Sequence, residues 1–274
     1  MKFPFICSNC AAVNPIEYAD QDIYRFECVA CDCSNACALR QERFEILFDF
    51  GALAYDNGYH REAVADFVTA LERFFEFFIR TVLRERGLSD DVVGKTWKLM
   101  SKQSERQLGA FATAYLYSTG EYPTFLQDNK LKTAFRNSVI HKGKIPSQQE
   151  TSEYAETVYT LIRDLIHELW QIAPNAVGRI RHDHVDELLR QAENDGYAAQ
   201  IFAYDGMFGI SRFHPMSVAS TQRRREIDAE SGAIPSPECL RTDMSFEDTL
   251  EARRMFVKAS FYDEHMRTPE GRSS

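Results

Sequence analysis

Between Phe44 and Trp170 apolar residues recur three and four positions apart, the spacing of helices that each bury one face. The stretch HREAVADFVTALERFFEFFIRTVLRERG carries the widest stripe: Ala63, Val64, Phe67, Ala70, Leu71, Phe74, Phe75, Phe78, Ile79, Val82 and Leu83. Gly87, behind Arg84 and Arg86, is its stop signal. FEILFDFGALAYDNG predicts a shorter helix before it, ending at Asn57-Gly58. ERQLGAFATAYLYSTG predicts one ending at Gly120, and DNKLKTAFRNSVIHKG one ending near Gly143. In SEYAETVYTLIRDLIHELW, the residues Tyr154, Val158, Leu161, Ile162, Leu165, Leu169 and Trp170 share a face, with Thr151 or Ser152 as the cap. Four or five helices with short connections make an all-α bundle. Phe74, Phe75, Phe77 and Phe78 nearly encircle their helix; deep burial within one chain and burial against a second subunit each account for that.

The flanks follow other patterns. Near the N-terminus Tyr24, Phe26 and Cys28 alternate with Arg25 and Glu27, as in a half-buried strand, after the polar break Ala19-Asp20-Gln21-Asp22. Beyond Pro174 the helical signal loosens. DHVDELLRQAENDG predicts a helix ending at Gly196, AAQIFAYDGMFGISRF two short strands across Asp205-Gly206, and SFEDTLEARRMFVKASFYDEH a helix capped at Ser245. RTPEGRSS reads as a frayed tail. No internal repeat is evident. The expected class is mainly α: residues 1–41 as a small cysteine-rich domain, 42–173 as a helical bundle, and 174–274 as a mixed α+β module.

Composition adds exclusions. The 274 residues are 44% hydrophobic and 27% charged, with a formal net charge of -9. Such a chain has no overall positive field, so any nucleic-acid contact must come from a local patch. Neither a secretory h-region nor an uncharged apolar run long enough to span a bilayer is present, which predicts a soluble cytoplasmic protein with no membrane partner. Arg223-Arg224-Arg225 is such a local basic run, read here as a solvated charge run.

Six of the seven cysteines crowd the N-terminus. Cys7 and Cys10 form one C-x2-C pair and Cys28 and Cys31 a second, spacing that turns two sulfurs at a time toward one metal ion. Cys33 and Cys37 are alternate ligands, and Cys239 reads as a small buried residue. The segment resembles a zinc ribbon, which implies a structural Zn site whose four thiolates leave no position for catalytic water. So short a domain would draw its folding free energy from the metal.

The bundle holds a second cluster. In FRNSVIHKGK, Arg136, Asn137 and His141 are followed by Lys142 and Lys144. On a helix Asn137 and His141 point the same way, whereas Arg136 stands about 140° from His141. Two copies of the helix across a two-fold axis would bring each Arg136 toward the other's His141. Arginine binds phosphate bidentately, histidine exchanges protons near neutral pH, and asparagine orients either one. Lys142 and Lys144 are weak candidates for RNA contact. No acidic metal-binding cluster stands nearby, so the chemistry expected is metal-independent, with no cofactor for catalysis.

The Arg136-Asn137-x3-His141 motif, set before the last long helix of an aromatic-rich bundle, resembles the R-(polar)-x3-H signature of the HEPN superfamily over residues 43–172. The resemblance implies a homodimeric endoribonuclease in which Arg136 and His141 are catalytic and Asn137 is the polar residue beside them. It further implies a role as a toxin or antiviral defence effector, with an antitoxin or sensor protein as partner. HEPN toxins modified by a nucleotidyltransferase carry tyrosine two residues after the histidine; Gly143 stands there instead. The competing reading is a non-catalytic adaptor in which the ribbon binds RNA or protein and the bundle only dimerises.

Overall fold

In the computed structural model, which describes residues 2–127, 129–203, 206–208, 244–251 and 253–254, the N-terminal alternation becomes two β-hairpins. β1 (Lys2–Ile6) pairs antiparallel with β2 (Val13–Glu17), and β3 (Ile23–Glu27) with β4 (Ser34–Leu39). The hairpins are copies of each other. Phe3, Phe5, Cys7, Cys10 and Asn14 recur 21 residues later as Tyr24, Phe26, Cys28, Cys31 and Asn35, and the strand register repeats with them. An internal repeat therefore exists where none was expected, because residue identity recurs only at Phe5, Cys7, Cys10 and Asn14 of these five positions, and the rest of the repeat is spacing and alternation. The rings of Phe5 and Phe26 stack, with centroids 5.9 Å apart, and Phe5 meets Tyr24 at 5.1 Å.

Two compact units divide the described chain: residues 2–42 with 174–203, and residues 43–173 with those from 206 onward. This differs from the expected separate module over 174–274. The physical reason in the first unit is an open sheet edge. After α7 (Pro174–Asn194), the strand β5 (Ala198–Phe202) runs parallel to β4 and completes a β3-β4-β5 sheet. Phe202 of β5 then lies edge-on to Phe5, with centroids 4.6 Å apart. The second predicted strand, beyond Asp205-Gly206, lies largely outside the described residues. α7 also begins well before Asp183, at Pro174, a favoured first helical residue.

The second unit is the helical bundle. α1 (Arg43–Asp56), α2 (His60–Glu85), α4 (Ser104–Thr119), α5 (Thr133–Lys142) and α6 (Gln148–Ile172) occur where the stripes predict them, and α3 (Asp90–Met100) is added between α2 and α4. Only Val93 and Trp97 of α3 are buried, so it offers little apolar periodicity to read. α6 begins earlier than expected: the Ser147 hydroxyl accepts from the Glu150 N–H at 3.2 Å while the Glu150 carboxylate accepts from the Ser147 N–H at 2.9 Å, a capping box.

α2 packs against α1, α4, α5 and α6, which explains its ring of phenylalanines. Phe74 and Phe77 meet Phe44 of α1 at 5.0 and 5.4 Å, while Phe75 and Phe78 meet Phe111 of α4 at 4.2 and 4.9 Å. All four are covered within one chain, so their surplus does not call for a second subunit. α1 comes so close to α2 at Gly51 that a Cβ there would stand 2.6 Å from the Phe67 ring.

The described C-terminal residues complete this core. Phe208 stacks on Tyr159 at 5.1 Å and Phe246 sits against Phe67 at 5.7 Å, both fully buried. The Met207 N–H donates to buried Asp49 at 2.8 Å. Ser245 caps a helical turn by accepting from the Asp248 N–H at 3.1 Å. Arg223-Arg224-Arg225, Cys239 and the terminal RTPEGRSS lie outside the described residues. Among the described residues, no helix is long and apolar enough to cross a membrane.

Candidate functional site

Each hairpin of the first unit turns through a knuckle built on the same hydrogen bonds. Cys7 N–H donates to Ala12 O at 2.8 Å and Cys28 N–H to Cys33 O at 3.0 Å; Ala11 N–H reaches Cys7 O and Asp32 N–H reaches Cys28 O, both at 3.0 Å. The fourth residue after the leading cysteine adopts a left-handed backbone in both, Ala11 at φ 60° and Asp32 at φ 55°. That conformation is unfavourable for residues with a Cβ. Its occurrence at two equivalent places marks a geometry imposed by what the cysteines must do.

The knuckles aim Cys7, Cys10, Cys28 and Cys31 at one point, with all four sulfurs within 4.8 Å of one another. Cys7 Sγ lies 3.7 Å from Cys31 Sγ and Cys10 Sγ 3.6 Å from Cys28 Sγ. A tetrahedral ion with metal–sulfur bonds of about 2.3 Å sets its sulfurs about 3.8 Å apart, so the cluster fits a metal ion. Backbone N–H groups also point at sulfur: Asn9 N–H to Cys7 and Ala30 N–H to Cys28, each at 3.4 Å. Such donors stabilise thiolates, and the Cys33 N–H with help from Asn9 brings the Cys31 thiol down to about 6.

Two buried asparagines, missed in the sequence, hold each knuckle against the other. Asn35 Oδ1 accepts from Ser8 N–H at 3.0 Å and from Ser8 Oγ at 2.9 Å, while its amide donates toward Cys7 Sγ at 3.5 Å and to Cys33 O at 2.8 Å. Asn14 answers from the other hairpin, accepting from Val29 N–H at 3.0 Å and donating to Ala12 O at 2.9 Å and toward Cys28 Sγ at 3.8 Å. Their signal in the sequence is position: each follows the leading cysteine of its pair by seven residues. Cys33 and Cys37 stand outside the four-sulfur group; Cys37 is buried in β4, accepts from Gln200 Nε2 at 3.2 Å, and has its thiol pushed up to about 11 by burial.

In the bundle, α5 ends at Gly143, whose φ of 72° suits glycine. Arg136, Asn137 and His141 of α5 line one cavity of about 560 Å³, together with Glu72 and Phe75 of α2, Glu105 and Leu108 of α4, and Tyr154 of α6. Arg136 Nη2 donates to the Glu72 carboxylate at 3.0 Å and Nη1 to Asn137 Oδ1 at 3.1 Å. Its charge is thus partly neutralised within the chain. His141 is exposed on its helix and its side chain has no hydrogen-bond partner among the described residues. Burial drives the Tyr154 hydroxyl well above the ordinary phenol range, Arg136 offsetting and Glu72 adding to the rise, so it stays a neutral O–H donor.

The two lysines are unlike each other. Lys142 is exposed, whereas Lys144 forms an ion pair with Glu150 and lies 5.2 Å over the Phe135 ring. The Lys144 contact lowers the Glu150 carboxyl, with the Ser147 N–H as the next cause. Glu72 was not legible as a site residue, since it sits beside Leu71 on a helix read for its apolar face. Tyr154 was legible only as core. No protein-family model matches the chain, and no curated protein and no solved structure matches it either.

Proposed function

We propose that the protein is a metal-independent endoribonuclease of HEPN type, cleaving RNA at a site that two copies of the chain build together. The observation carrying this reading is the single cavity shared by Arg136, Asn137 and His141. In the proposed step His141 accepts the proton of a ribose 2′-hydroxyl as the 2′-oxygen bonds to the adjacent phosphorus. The bond from phosphorus to the 5′-oxygen breaks, and the imidazolium of the second copy's His141 gives that oxygen a proton. The products are a 2′,3′-cyclic phosphate and a 5′-hydroxyl. Arg136 binds the phosphate oxygens as charge builds on them, exchanging the Glu72 carboxylate for phosphate. Pairing across a two-fold axis, as the resemblance implies, sets a second Arg136 and His141 opposite the first.

Cys7, Cys10, Cys28 and Cys31 hold a structural zinc ion in this reading, since four thiolates suit zinc and leave no open position. A toxin or antiviral defence role, with an antitoxin or sensor as partner, belongs to the same proposal. Arg136→Ala and His141→Ala are each expected to lower cleavage of single-stranded RNA by about 100-fold or more, with light scattering still reporting a dimer. Cleavage at the wild-type rate in either variant would sink the reading.

One observation favours a non-catalytic adaptor: Arg136 is paired with Glu72 and Lys144 with Glu150, so the patch offers less free positive charge than its sequence promises. RNA that binds equally well to wild type and His141→Ala, and is cleaved by neither, would select that reading.

A further inference from the structure

The cavity beside Arg136 is larger than a phosphate needs. At about 560 Å³ it lies within the range of about 300–1,000 Å³ common for small-molecule sites. Val68, Leu71 and Phe75 of α2 with Leu108 and Leu131 give it apolar lining, and Arg136, Asn137, His141, Glu72 and Glu105 are among its polar lining. Tyr154 lines it as well and is 2% exposed; its hydroxyl has no hydrogen-bond partner among the described residues and is not among the atoms sealed from solvent. A hydroxyl open to a cavity and unpartnered within the protein is available to donate to a ligand.

We infer that this cavity is a subsite for one nucleoside monophosphate unit, its phosphate held by Arg136 and the Tyr154 hydroxyl and its base lodged among Leu71, Phe75 and Leu108. An aromatic and aliphatic chamber receives the faces of an unstacked base, and a guanidinium with a neutral O–H binds the phosphate. The carboxylates of Glu72 and Glu105 line the same cavity and accept from ribose hydroxyls or exocyclic amines. Such a unit comes from an RNA chain or from a free nucleotide; the first source rests on the ribonuclease reading, the second does not.

Calorimetric titration of the full-length, metal-loaded protein with 3′-AMP, adenosine, inorganic phosphate and a 2′-O-methyl trinucleotide separates these cases. Binding of 3′-AMP at one site is expected, tighter than adenosine or phosphate alone. Tyr154→Phe, which keeps the ring, is expected to weaken it about fivefold to tenfold. Leu108→Trp, at a partly exposed position, fills the chamber and is expected to abolish nucleotide binding while phosphate binding persists. Tighter binding of the trinucleotide assigns the site to an RNA chain, and tighter binding of 3′-AMP to a free nucleotide. Undetectable nucleotide binding, phosphate binding as tightly as 3′-AMP, or unchanged affinity in both variants overturns the inference. Its failure is distinct from that of the ribonuclease reading: cleavage lost in His141→Ala but untouched in Tyr154→Phe and Leu108→Trp leaves the enzyme standing without the subsite. Nucleotide binding that follows the two variants in a protein that cleaves nothing does the opposite.

Discussion

The cysteine unit and the helical bundle solve the problem of stability in opposite ways. The first has short strands and a handful of rings, Phe3, Phe5, Tyr24, Phe26 and Phe202, around a cluster of four sulfurs. The second surrounds one long helix with aromatic residues and brings Arg136, Asn137, His141, Glu72 and Glu105 to one cavity. Apolar burial dominates the bundle. In the cysteine unit the four-sulfur cluster could hold a metal ion, which would supply what so small a core does not. The lesson is that polar residues near a site have different purposes in the two: around the sulfurs they are structural, whereas in the bundle they are spare chemistry.

Removal of the metal is the strongest way to break this contrast. A structural four-thiolate site contributes on the order of 10 kcal/mol. A chelator, or Cys10→Ser, is therefore expected to unfold the sheet of the first unit, seen as collapse of its amide resonances. The helical circular dichroism of the bundle should largely persist. Cys33→Ser, outside the four-sulfur group, should retain the metal. Full metal content in Cys10→Ser would refute the site.

The converse test removes a ring from the bundle. Phe208 is buried against Phe48 at 4.8 Å and Tyr159 at 5.1 Å, so Phe208→Ala is expected to cost about 3–5 kcal/mol. Thermal unfolding of the bundle would shift down while metal content stays constant. An unchanged melting temperature would mean that residues 206–208 are not part of that core.

How legible each unit was in the sequence follows from the same contrast. The four ligands could be read because metal coordination dictates spacing, and the helices of the bundle because burial dictates periodicity. α3 was missed because it buries only Val93 and Trp97, and the start of α6 because Ser147 and Glu150 act as a cap with no apolar residue involved. The membership of β5 was hidden because parallel pairing with β4 links residues some 160 apart and leaves no local trace. The Arg136 and His141 motif could be read as a helix face, but Glu72 and Tyr154 join it only through packing of α2 and α6.

A finer test lies within the cysteine unit, where the two hairpins repeat but their asparagines do not contribute equally. Asn35 makes four side-chain hydrogen bonds and Asn14 three. Each substitution by alanine leaves a knuckle N–H without its acceptor, at about 1–3 kcal/mol. Competition with a chelator should show weaker metal retention in both, with Asn35→Ala the worse. Equal retention by Asn35→Ala and wild type would show that the knuckles stand without this cross-bracing.

The smallest effect expected is in the bundle, where a half-buried carboxyl on α2 works against stability. Burial, and next the Glu62 charge one turn before it, push the Asp66 carboxyl up to about 6 from its ordinary value of 3.8. Because the folded state prefers the protonated acid, ionisation of Asp66 destabilises the bundle above that folded value. Stability is regained as pH falls from about 6 towards the unfolded value near 4. Asp66→Asn mimics the protonated form, so at pH 7.5 it is expected to raise the melting temperature by about 1–3 °C once solvent screening is allowed for. The gain should shrink steadily below pH 6 and vanish near pH 4. A gain that is constant across this range would mean that Asp66 has an ordinary acidity in the folded bundle and that ionisation of its carboxyl is not what works against stability.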